Sequence, residues 1–577
     1  MKRNLFLSLI FGMAATAYAE TTWVNTAKDL AKDATAWEQA EAVHTAASHK
    51  PKDEGIEIPW IGTHTTGNWK IETPEGHVGS FIIVLDESLL SGSSEELEAP
   101  AEGIIQAHNI GCYKGMESAP ASALTVSGTQ TTTKTENCLF IGGVGYVGGE
   151  KDAATNAFLD KQTPQEGFVN VLDGATLTVG TKTSALLGAQ LNVGQGKDGV
   201  GHLLVDGASH VSSEGQMTVA SGAGSHGDVL VDNGSDIKVQ AAEHITNGGT
   251  NLHLGVGAGS EANITLDNGS SLSVLKGLNP DHKYAQSFIG QDGSGTLTAK
   301  GGSTLQLKGT TVLGYNNGSE GTLNVQGNSE AVAETLELGG LAGSKGTINV
   351  DADSTVVVTD TAYVGLSGKG SLVNDGTVSG KTHVNGTGEL HGSGTFGTTT
   401  VTGGGKVFVG DNAPVTQTYT GNLTLAESST SFSVTDLTLP SEEAQSEWIS
   451  ASHSLIKMEE GAQFAITKDA KFLIDFSGSE LPSEAPIVDL GDFSILLVEG
   501  GVGSDVAKLC GTLLNNSVFT FHLTDSAADA WTAGIKGAHY LVANNNLYLV
   551  ANSIPEPATA TLSLLALAGL CARRRRH

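Results

Sequence analysis

The chain contains almost no arginine. Its five arginines are Arg3 and the four residues 573–576, so the sequence between them has none. Arginine is the usual planar donor that binds a carboxylate, phosphate or sulfate group through two hydrogen bonds. An enzyme acting on phosphates, sulfates or polyuronates would have to rely on lysine alone, so the sequence weighs against these activities.

Cysteine is also scarce, with four in 577 residues and no CxxC or Cys/His spacing typical of a metal site. Cys112 and Cys138 can form a disulfide in an oxidising compartment, and free thiols are the alternative. Cys510 has no evident partner, and Cys571 lies in the C-terminal tail. The sequence therefore predicts neither a metal site nor a cofactor.

Aromatic residues and basic charge are rare as well. Aromatics make up 5% of the chain, whereas glycine occurs 76 times, a composition typical of short strands and tight turns rather than one large globular core. The formal net charge is −31, and it becomes −37 without Lys2, Arg3 and the four C-terminal arginines. Such a surface repels nucleic acid and anionic lipid, so we expect no nucleic-acid partner.

The N-terminus has the features of a secretory signal peptide. Lys2 and Arg3 precede the apolar run 5–15, and Ala17 and Ala19 form the small-x-small pattern that signal peptidase cleaves. We therefore predict a signal peptide over residues 1–19 and export of a chain that starts at Glu20.

The C-terminus combines three features in a fixed order. Pro555, Glu556 and Pro557 precede an uncharged segment, 558–572, and a block of four arginines ends the chain. The segment has about 15 residues, fewer than the roughly 20 that span a bilayer as a helix, so we predict transient insertion as a short transmembrane helix. The arginines then stay on the cytoplasmic side. The alternative is a frayed terminal helix of a soluble domain.

This tail resembles the PEP-CTERM sorting signals of Gram-negative bacteria. The resemblance covers residues 553–577, with 555–557 as the motif, 562–570 as the apolar helix and a stop signal of Arg573, Arg574, Arg575 and Arg576. It implies that, after signal peptidase, an exosortase-type transpeptidase processes the chain. It also implies a location at the cell surface or outer membrane, or release outside the cell.

An irregular repeat fills the middle of the chain. A phrase of glycine, alternating apolar residues and an Asp/Asn-Gly-Ser turn predicts rung starts at Gly167, Gly201, Gly227, Glu261, Gly295, Gly321, Gly346 and Gly370. The intervals between successive starts fall into two groups, one in the mid-twenties and one in the mid-thirties. Self-similarity at periods in this range indicates a solenoid.

Each rung contains three short runs of alternating apolar residues, which predict three strands separated by glycine-containing corners. We therefore predict an all-β parallel β-helix over 161–425, between an N-terminal entry region, 20–160, and a β-rich C-terminal cap, 426–552. The crossover rule predicts a right-handed coil. A chain of small antiparallel β domains is the alternative.

Two details of the corners follow from residue type. We expect positive φ at Gly234, Gly269 and Gly302, and a polar ladder between the stacked turns of Asn233 and Asn268. In the flanking regions, the pattern predicts a helix or a loose cap in 20–55 and short helices at 441–448 and 504–514.

The repeats resemble autotransporter passenger domains and the autotransporter-like repeats of PEP-CTERM proteins, over about residues 167–425. The turn aspartates Asp206, Asp232, Asp267 and Asp292 are better explained as turn formers than as calcium ligands, because the Gly-Gly-x-Gly-x-Asp array is absent. The histidines at 202, 210, 226, 244, 253 and 282 show no i, i+4 pairing. No set of residues is predicted to be catalytic.

Two functional hypotheses remain. The first is an exported structural or adhesion protein whose repetitive Ser/Thr-rich face contacts glycans or an extracellular matrix. The second is a polysaccharide-acting enzyme on the same scaffold. The missing arginine and the missing catalytic cluster argue against the second.

Overall fold

The described strands before residue 383 form a parallel β-helix in which each rung adds one strand to each of three faces. The computed structural model describes residues 138–143, 166–181, 186, 189–411, 413–438, 449–478, 493–520 and 538–551, and the backbone of short strands between 20 and 135. These residues belong to two compact units, Met1–Thr382 and His383–His577, here called unit 1 and unit 2.

The first face of unit 1 is a ladder of parallel strands. Its strands are β1 (Glu20–Val24), β2 (Asn68–Glu72), β6 (Ser122–Ser127), β9 (Glu166–Leu172), β12 (Val200–Val205), β15 (His226–Val231), β18 (Glu261–Leu266), β21 (Ser294–Ala299), β23 (Glu320–Val325), β25 (Lys345–Val350) and β27 (Lys369–Asn374). Each pairs in parallel with the next. Parallel pairing thus begins at β1, and the start of the segment 20–55 is a strand rather than a helix.

The second and third faces are ladders of the same kind. The second face contains β3 (Ile82–Ile83), β4 (Gly103–Ile105), β7 (Thr132–Thr135), β10 (Thr176–Val179), β13 (His210–Ser213), β16 (Asp236–Val239) and β19 (Ser271–Val274). The third contains β5 (Asn109–Ile110), β8 (Leu139–Gly143), β11 (Gln190–Gln195), β14 (Gln216–Val219), β17 (Thr250–Leu254) and β20 (Ala285–Ile289). Three long strands, β22 (Thr304–Leu313), β24 (Glu330–Leu338) and β26 (Thr355–Val364), contribute to both faces and shift register between them.

The strand register confirms the repeat phrase. Aligned residues of the first face are Gly167, Gly201, Gly227, Ala262, Gly295, Gly321, Gly346 and Gly370. Seven of the eight predicted rung starts are correct, and Ala262 takes the place predicted for Glu261. Because these pairings are parallel, the alternative of small antiparallel domains is wrong for the repeats.

The interior of unit 1 is an aliphatic column. On the first face Val229, Ile264, Leu297, Leu323 and Ile348 are all buried, and the residues beside them in each strand point outward. A strand alternates its side chains between the two faces of a sheet, so stacking the rungs in register aligns the buried residues. The predicted alternation is therefore confirmed.

The corners between the first and second faces use left-handed backbone. φ is positive at Gly234, Gly269 and Gly302, as predicted, and also at Asn233 and Asn268. Asparagine is one of the few side chains that tolerate this conformation. These turns therefore suit the Asp-Asn-Gly-Ser sequence.

Two columns of buried serine line the corners. At the corner before the second face, the backbone N–H of Ser303 donates to Ser329 Oγ and that of Ser329 donates to Ser354 Oγ. At the corner before the first face, serine hydroxyls donate to the carbonyl three residues earlier, as Ser260 does to Gly257 at 2.6 Å. The hydroxyls of Ser329 and Ser354 thus accept from backbone N–H groups of the corner, and the hydroxyl of Ser260 adds a second donor to a carbonyl that also accepts from the Ser260 N–H.

Unit 2 continues with parallel strands and ends in antiparallel ones. Its strands are β29 (Gly388–His391), β30 (Thr395–Thr402), β31 (Lys406–Val409), β32 (Thr416–Tyr419), β33 (Leu423–Leu425), β34 (Ser429–Thr438), β35 (Ile449–His453), β36 (Leu455–Met458), β37 (Phe464–Ile466), β38 (Lys471–Gly478), β39 (Phe493–Glu499), β40 (Val518–Thr520), β41 (Ala538–Ala543) and β42 (Asn546–Ala551); β28 (Thr377–Asn385) crosses the unit boundary. Parallel pairing extends past residue 425 to β40. The antiparallel pairs are β34 with β35, and β42 with both β39 and β41. Parallel pairing is therefore present within unit 2 after the rung phrase has ended.

Among the described residues of unit 2 there is one helix, α1 (Ser504–Asn516), which confirms the prediction for 504–514. It buries Val506 and Leu513, which lie two turns apart on one helical face, and it contacts β38 and β41. Just after the helix, the hydroxyl of Ser517 donates to Leu513 O at 2.8 Å. The other predicted helix, 441–448, lies outside the described residues.

Candidate functional site

The predicted sorting residues lie outside the part of the chain that the structure describes. This applies to Pro555, Glu556 and Pro557, to Arg573, Arg574, Arg575 and Arg576, and to Ala17 and Ala19. Cys138 is buried beside β8, and burial raises the pKa of its thiol. Cys112 is not among the described residues, so its pairing with Cys138 remains a prediction.

The turn aspartates are engaged by the turns themselves. Asp232 Oδ1 accepts a hydrogen bond from Asn233 N at 2.8 Å and another from Asn268 Nδ2 at 2.5 Å. One rung earlier, Asp206 Oδ1 accepts from Asn233 Nδ2 at 2.6 Å. The predicted polar ladder is therefore confirmed, and these contacts support a turn-forming role for the aspartates. Within the described residues, no group of His, Cys, Asp and Glu side chains is placed to hold a metal ion.

The register brings together histidines that are far apart in sequence. Asp228 Oδ2 lies 2.8 Å from His226 Nε2 and 3.5 Å from His202 Nδ1, and Asp228 Oδ1 accepts from Asn263 Nδ2 at 3.1 Å. The His202 ring stacks on Phe168 at a centroid distance of 4.7 Å. The i, i+4 rule cannot find this cluster, because it spans rungs. Aligning the repeat phrase of β12 with that of β15 would have revealed it, since this alignment places His202 opposite Asp228.

The cluster shifts two pKa values in opposite directions. Burial raises the pKa of Asp228, but the hydrogen bonds from His202, His226 and Asn263 outweigh it and hold that pKa well below its usual range. The hydrogen bond to Asp228 raises the pKa of His226 above its ordinary value, against partial burial. His226 and Asp228 therefore form an ion pair at mildly acidic pH.

These shifts predict how stability depends on pH. Asp228 stabilises the folded state at pH values above its unfolded pKa of about 3.9. His226 stabilises it fully below its unfolded pKa of about 6.5, and this stabilisation is lost as the pH rises through the pKa of the folded state. Between pH 6 and 8 we expect the free energy of unfolding of the wild type to fall, relative to that of His226→Gln, by up to about 1 kcal/mol. The loss is no larger because solvent partly screens the half-exposed pair. Urea unfolding at both pH values measures this difference. Equal changes in the two proteins would contradict the assignment.

A second histidine cluster lies in unit 2. His391 stacks flat on Phe408 at a centroid distance of 4.5 Å, and its Nδ1 lies 2.8 Å from Asp411 Oδ2. Lys406 Nζ donates to Glu389 Oε1 at 2.9 Å, which lowers the pKa of Glu389. These contacts join the neighbouring strands β29 and β31.

The third face of unit 1 carries an aromatic stack. The rings of His253 and Phe288 stack at 5.3 Å, and Tyr315 meets Phe288 edge-on at 5.0 Å. Burial lowers the pKa of His253, while His253 Nδ1 contacts Gln291 Oε1 at 2.7 Å. The faces of the His253 and Phe288 rings are turned toward each other. The stack therefore stabilises the packing between rungs and offers a ligand no free flat face between the two rings.

The outer side of the first face carries a regular polar surface on β21, β23, β25 and β27. The third residues of four consecutive strands form a hydroxyl column of Thr296, Thr322, Thr347 and Ser371. The fifth residues form an amide ladder, in which Asn349 Nδ2 donates to Asn324 Oδ1 at 2.8 Å and Asn324 Nδ2 donates to Thr298 Oγ1 at 3.2 Å. All these side chains are half-buried. The face can therefore offer a ligand repeated neutral hydrogen-bonding groups.

Among known proteins, the chain matches no protein family and no curated protein. Within the described residues, no helix has the length and apolar character needed to cross a membrane. The predicted apolar segment at 558–572 is not among those residues.

Proposed function

We propose that this protein is an exported, surface-sorted β-solenoid with a structural or adhesive role. The observation that carries the proposal is the first face of unit 1, where short neutral polar side chains recur in register on consecutive rungs. A repeating surface supports many weak contacts with an extended polymer, and their combined affinity can greatly exceed that of one contact. Glycans and an extracellular matrix are polymers of this kind.

The route to the surface is proposed from the two ends of the chain. Signal peptidase would cleave after Ala19, and an exosortase-type transpeptidase would recognise residues 555–557. The mature protein would then carry neither the N-terminal basic pair nor the arginine block. Its location would be the cell surface, the outer membrane or the medium.

An assay for binding and turnover tests the adhesive role. We expect the purified mature chain to bind at least one polysaccharide from a panel and to release no soluble sugar during prolonged incubation. Binding is measured by co-sedimentation and release by chromatography of the supernatant. Released oligosaccharide would instead favour the alternative, a polysaccharide-acting enzyme.

Changing the motif tests the sorting route. We expect Pro555→Ala combined with Pro557→Ala to abolish most surface delivery and leave the precursor in the inner membrane, because the transpeptidase loses its rigid recognition site. Cell fractionation and immunoblotting in the native host measure the distribution. Thr559→Ala combined with Thr561→Ala is the matched control and should be delivered normally. Unchanged delivery of the proline variant would refute the sorting assignment.

A further inference from the structure

The hydroxyl column and the amide ladder form a two-dimensional grid on strands β21, β23 and β25. Strands of a sheet lie about 4.8 Å apart, and alternate residues along a strand lie roughly 6.6 Å apart, so these values set the grid spacing. Pairing in this part of the first face runs without a register shift, unlike pairing between β22, β24 and β26. The grid is therefore regular over three rungs, and Ser371 extends its hydroxyl column to a fourth.

The hydroxyl column has hydrogen-bonding capacity that the described part of the protein does not use. The hydroxyls of Thr296, Thr322 and Thr347 make no hydrogen bond to another described side chain or backbone group, although each residue is half-buried. A threonine hydroxyl is one donor and two acceptors, and its χ1 angle is stiff in a strand. The column therefore presents preorganised hydroxyls at a constant spacing.

The amide ladder fixes the orientation of its own groups. Because Asn349 donates to Asn324 and Asn324 donates to Thr298, each amide is held in one orientation along the coil. A ligand lying over the grid would meet groups that are already ordered, which lowers the entropy lost on binding.

Charge selects the chemical class of the ligand. The grid contains no charged side chain, and the column beside it, at the first residue of β21, β23 and β25, contains Ser294, one acid, Glu320, and one lysine, Lys345. This border has no net charge, within a chain whose formal charge is −31. A polyanion would be repelled by the protein as a whole, and a polycation would bind its acidic surfaces without needing the grid.

We infer that this grid binds a neutral polysaccharide lying along the coil axis, with successive sugar hydroxyls hydrogen-bonded to successive rungs. The inference rests on the proposed adhesive function and names its ligand class and its site. Acidic polysaccharides and proteins are the competing ligands that the experiment separates.

The test compares the full mature chain with a variant carrying Thr296→Val, Thr322→Val and Thr347→Val. Valine keeps the branched shape and the strand preference but removes the hydroxyl, so the fold should persist, as circular dichroism and the melting temperature will show. The probes are soluble β-glucan, mannan, polygalacturonate and, as a protein, gelatin, and affinity is measured by calorimetry. We expect wild type to prefer the neutral polysaccharides and the variant to bind them at least about tenfold more weakly.

Two further variants complete the test. Thr304→Val, Thr310→Val and Thr355→Val remove three hydroxyls from the other faces and should leave affinity unchanged. Thr296→Ser, Thr322→Ser and Thr347→Ser keep the hydroxyls and should leave affinity within about threefold of wild type. Equal binding by wild type and the valine variant of the grid, or preference for polygalacturonate or gelatin, overturns the inference while leaving an adhesive function standing. A wild type that binds none of the four probes refutes both.

Discussion

Replacing Gly321 by valine is expected to destabilise unit 1 by about 3 kcal/mol or more, a large fraction of the stability of a typical domain. Gly321 is the second residue of β23 and packs against the C-terminal ends of β20 and β22. A Cβ atom there would overlap Ile289 O and Gly314 N and would lie 2.8 Å from the carbonyl carbon of Leu313. All three are backbone atoms, so the clash cannot be relieved by rotating a side chain.

Urea unfolding and limited proteolysis measure this effect, and cleavage should appear near residue 321 first. The matched control is Ala262→Gly, at the aligned position of β18, which should cost about 1 kcal/mol or less. Ala262 shows that one rung has room for a methyl group. A Gly321→Val protein that unfolds like wild type would contradict the expectation that the close backbone approach at this position requires glycine.

Replacing Phe472 by alanine is expected to destabilise unit 2 by about 3–5 kcal/mol. The side chain is buried, and its ring packs edge-on against Phe432 and against Tyr540, at a centroid distance of 5.6 Å in both cases. It therefore joins the parallel strands β34 and β38 to the antiparallel strand β41. Truncation leaves a cavity and removes two favourable aromatic contacts at once.

Hydrogen exchange measures the result strand by strand, and amide protection should fall in β34, β38 and β41 together. Phe472→Leu fills part of the cavity and should lose less. Val518→Ala is the exposed control, since Val518 is 56% accessible, and it should change stability by no more than about 0.5 kcal/mol. Loss of protection confined to β38 would show that Phe472 does not link the three strands.

Rungs and side-chain clusters differ in how far the sequence predicts them. The rung starts could be predicted because each depends on local features: a glycine, two alternating apolar residues and a turn. The cluster of His202, His226 and Asp228 depends on the register between rungs, so it can be found by aligning the repeat phrases of β12 and β15 and not from the residue spacing within one rung. Rung lengths also vary, since the step from β15 to β18 is longer than the step from β25 to β27, so a fixed period would misplace the partners.

In unit 2 the helix was predictable from the sequence, whereas the strand pairing was not. The helix Ser504–Asn516 was predictable because its apolar residues repeat at helical spacing within one segment. The parallel coil beyond residue 425 was not, because β34 and β38 pair across the intervening strands β35, β36 and β37 without a shared phrase. Pairing there depends on buried aromatic side chains such as Phe432 and Phe472, which only the packed structure brings together.

The sequence by itself determined the coil: alternation set the strands, and glycine and Asp-Asn-Gly-Ser set the corners, since both are properties of the local backbone. Only the tertiary structure decided that equivalent positions of successive rungs lie side by side, because in the alternative of small antiparallel domains they would not pair. Thr296, Thr322 and Thr347 belong to three different rungs, and they form one column only because parallel pairing holds β21, β23 and β25 in register. A surface built from repeats depends on that register, because no single rung contains more than one member of each column.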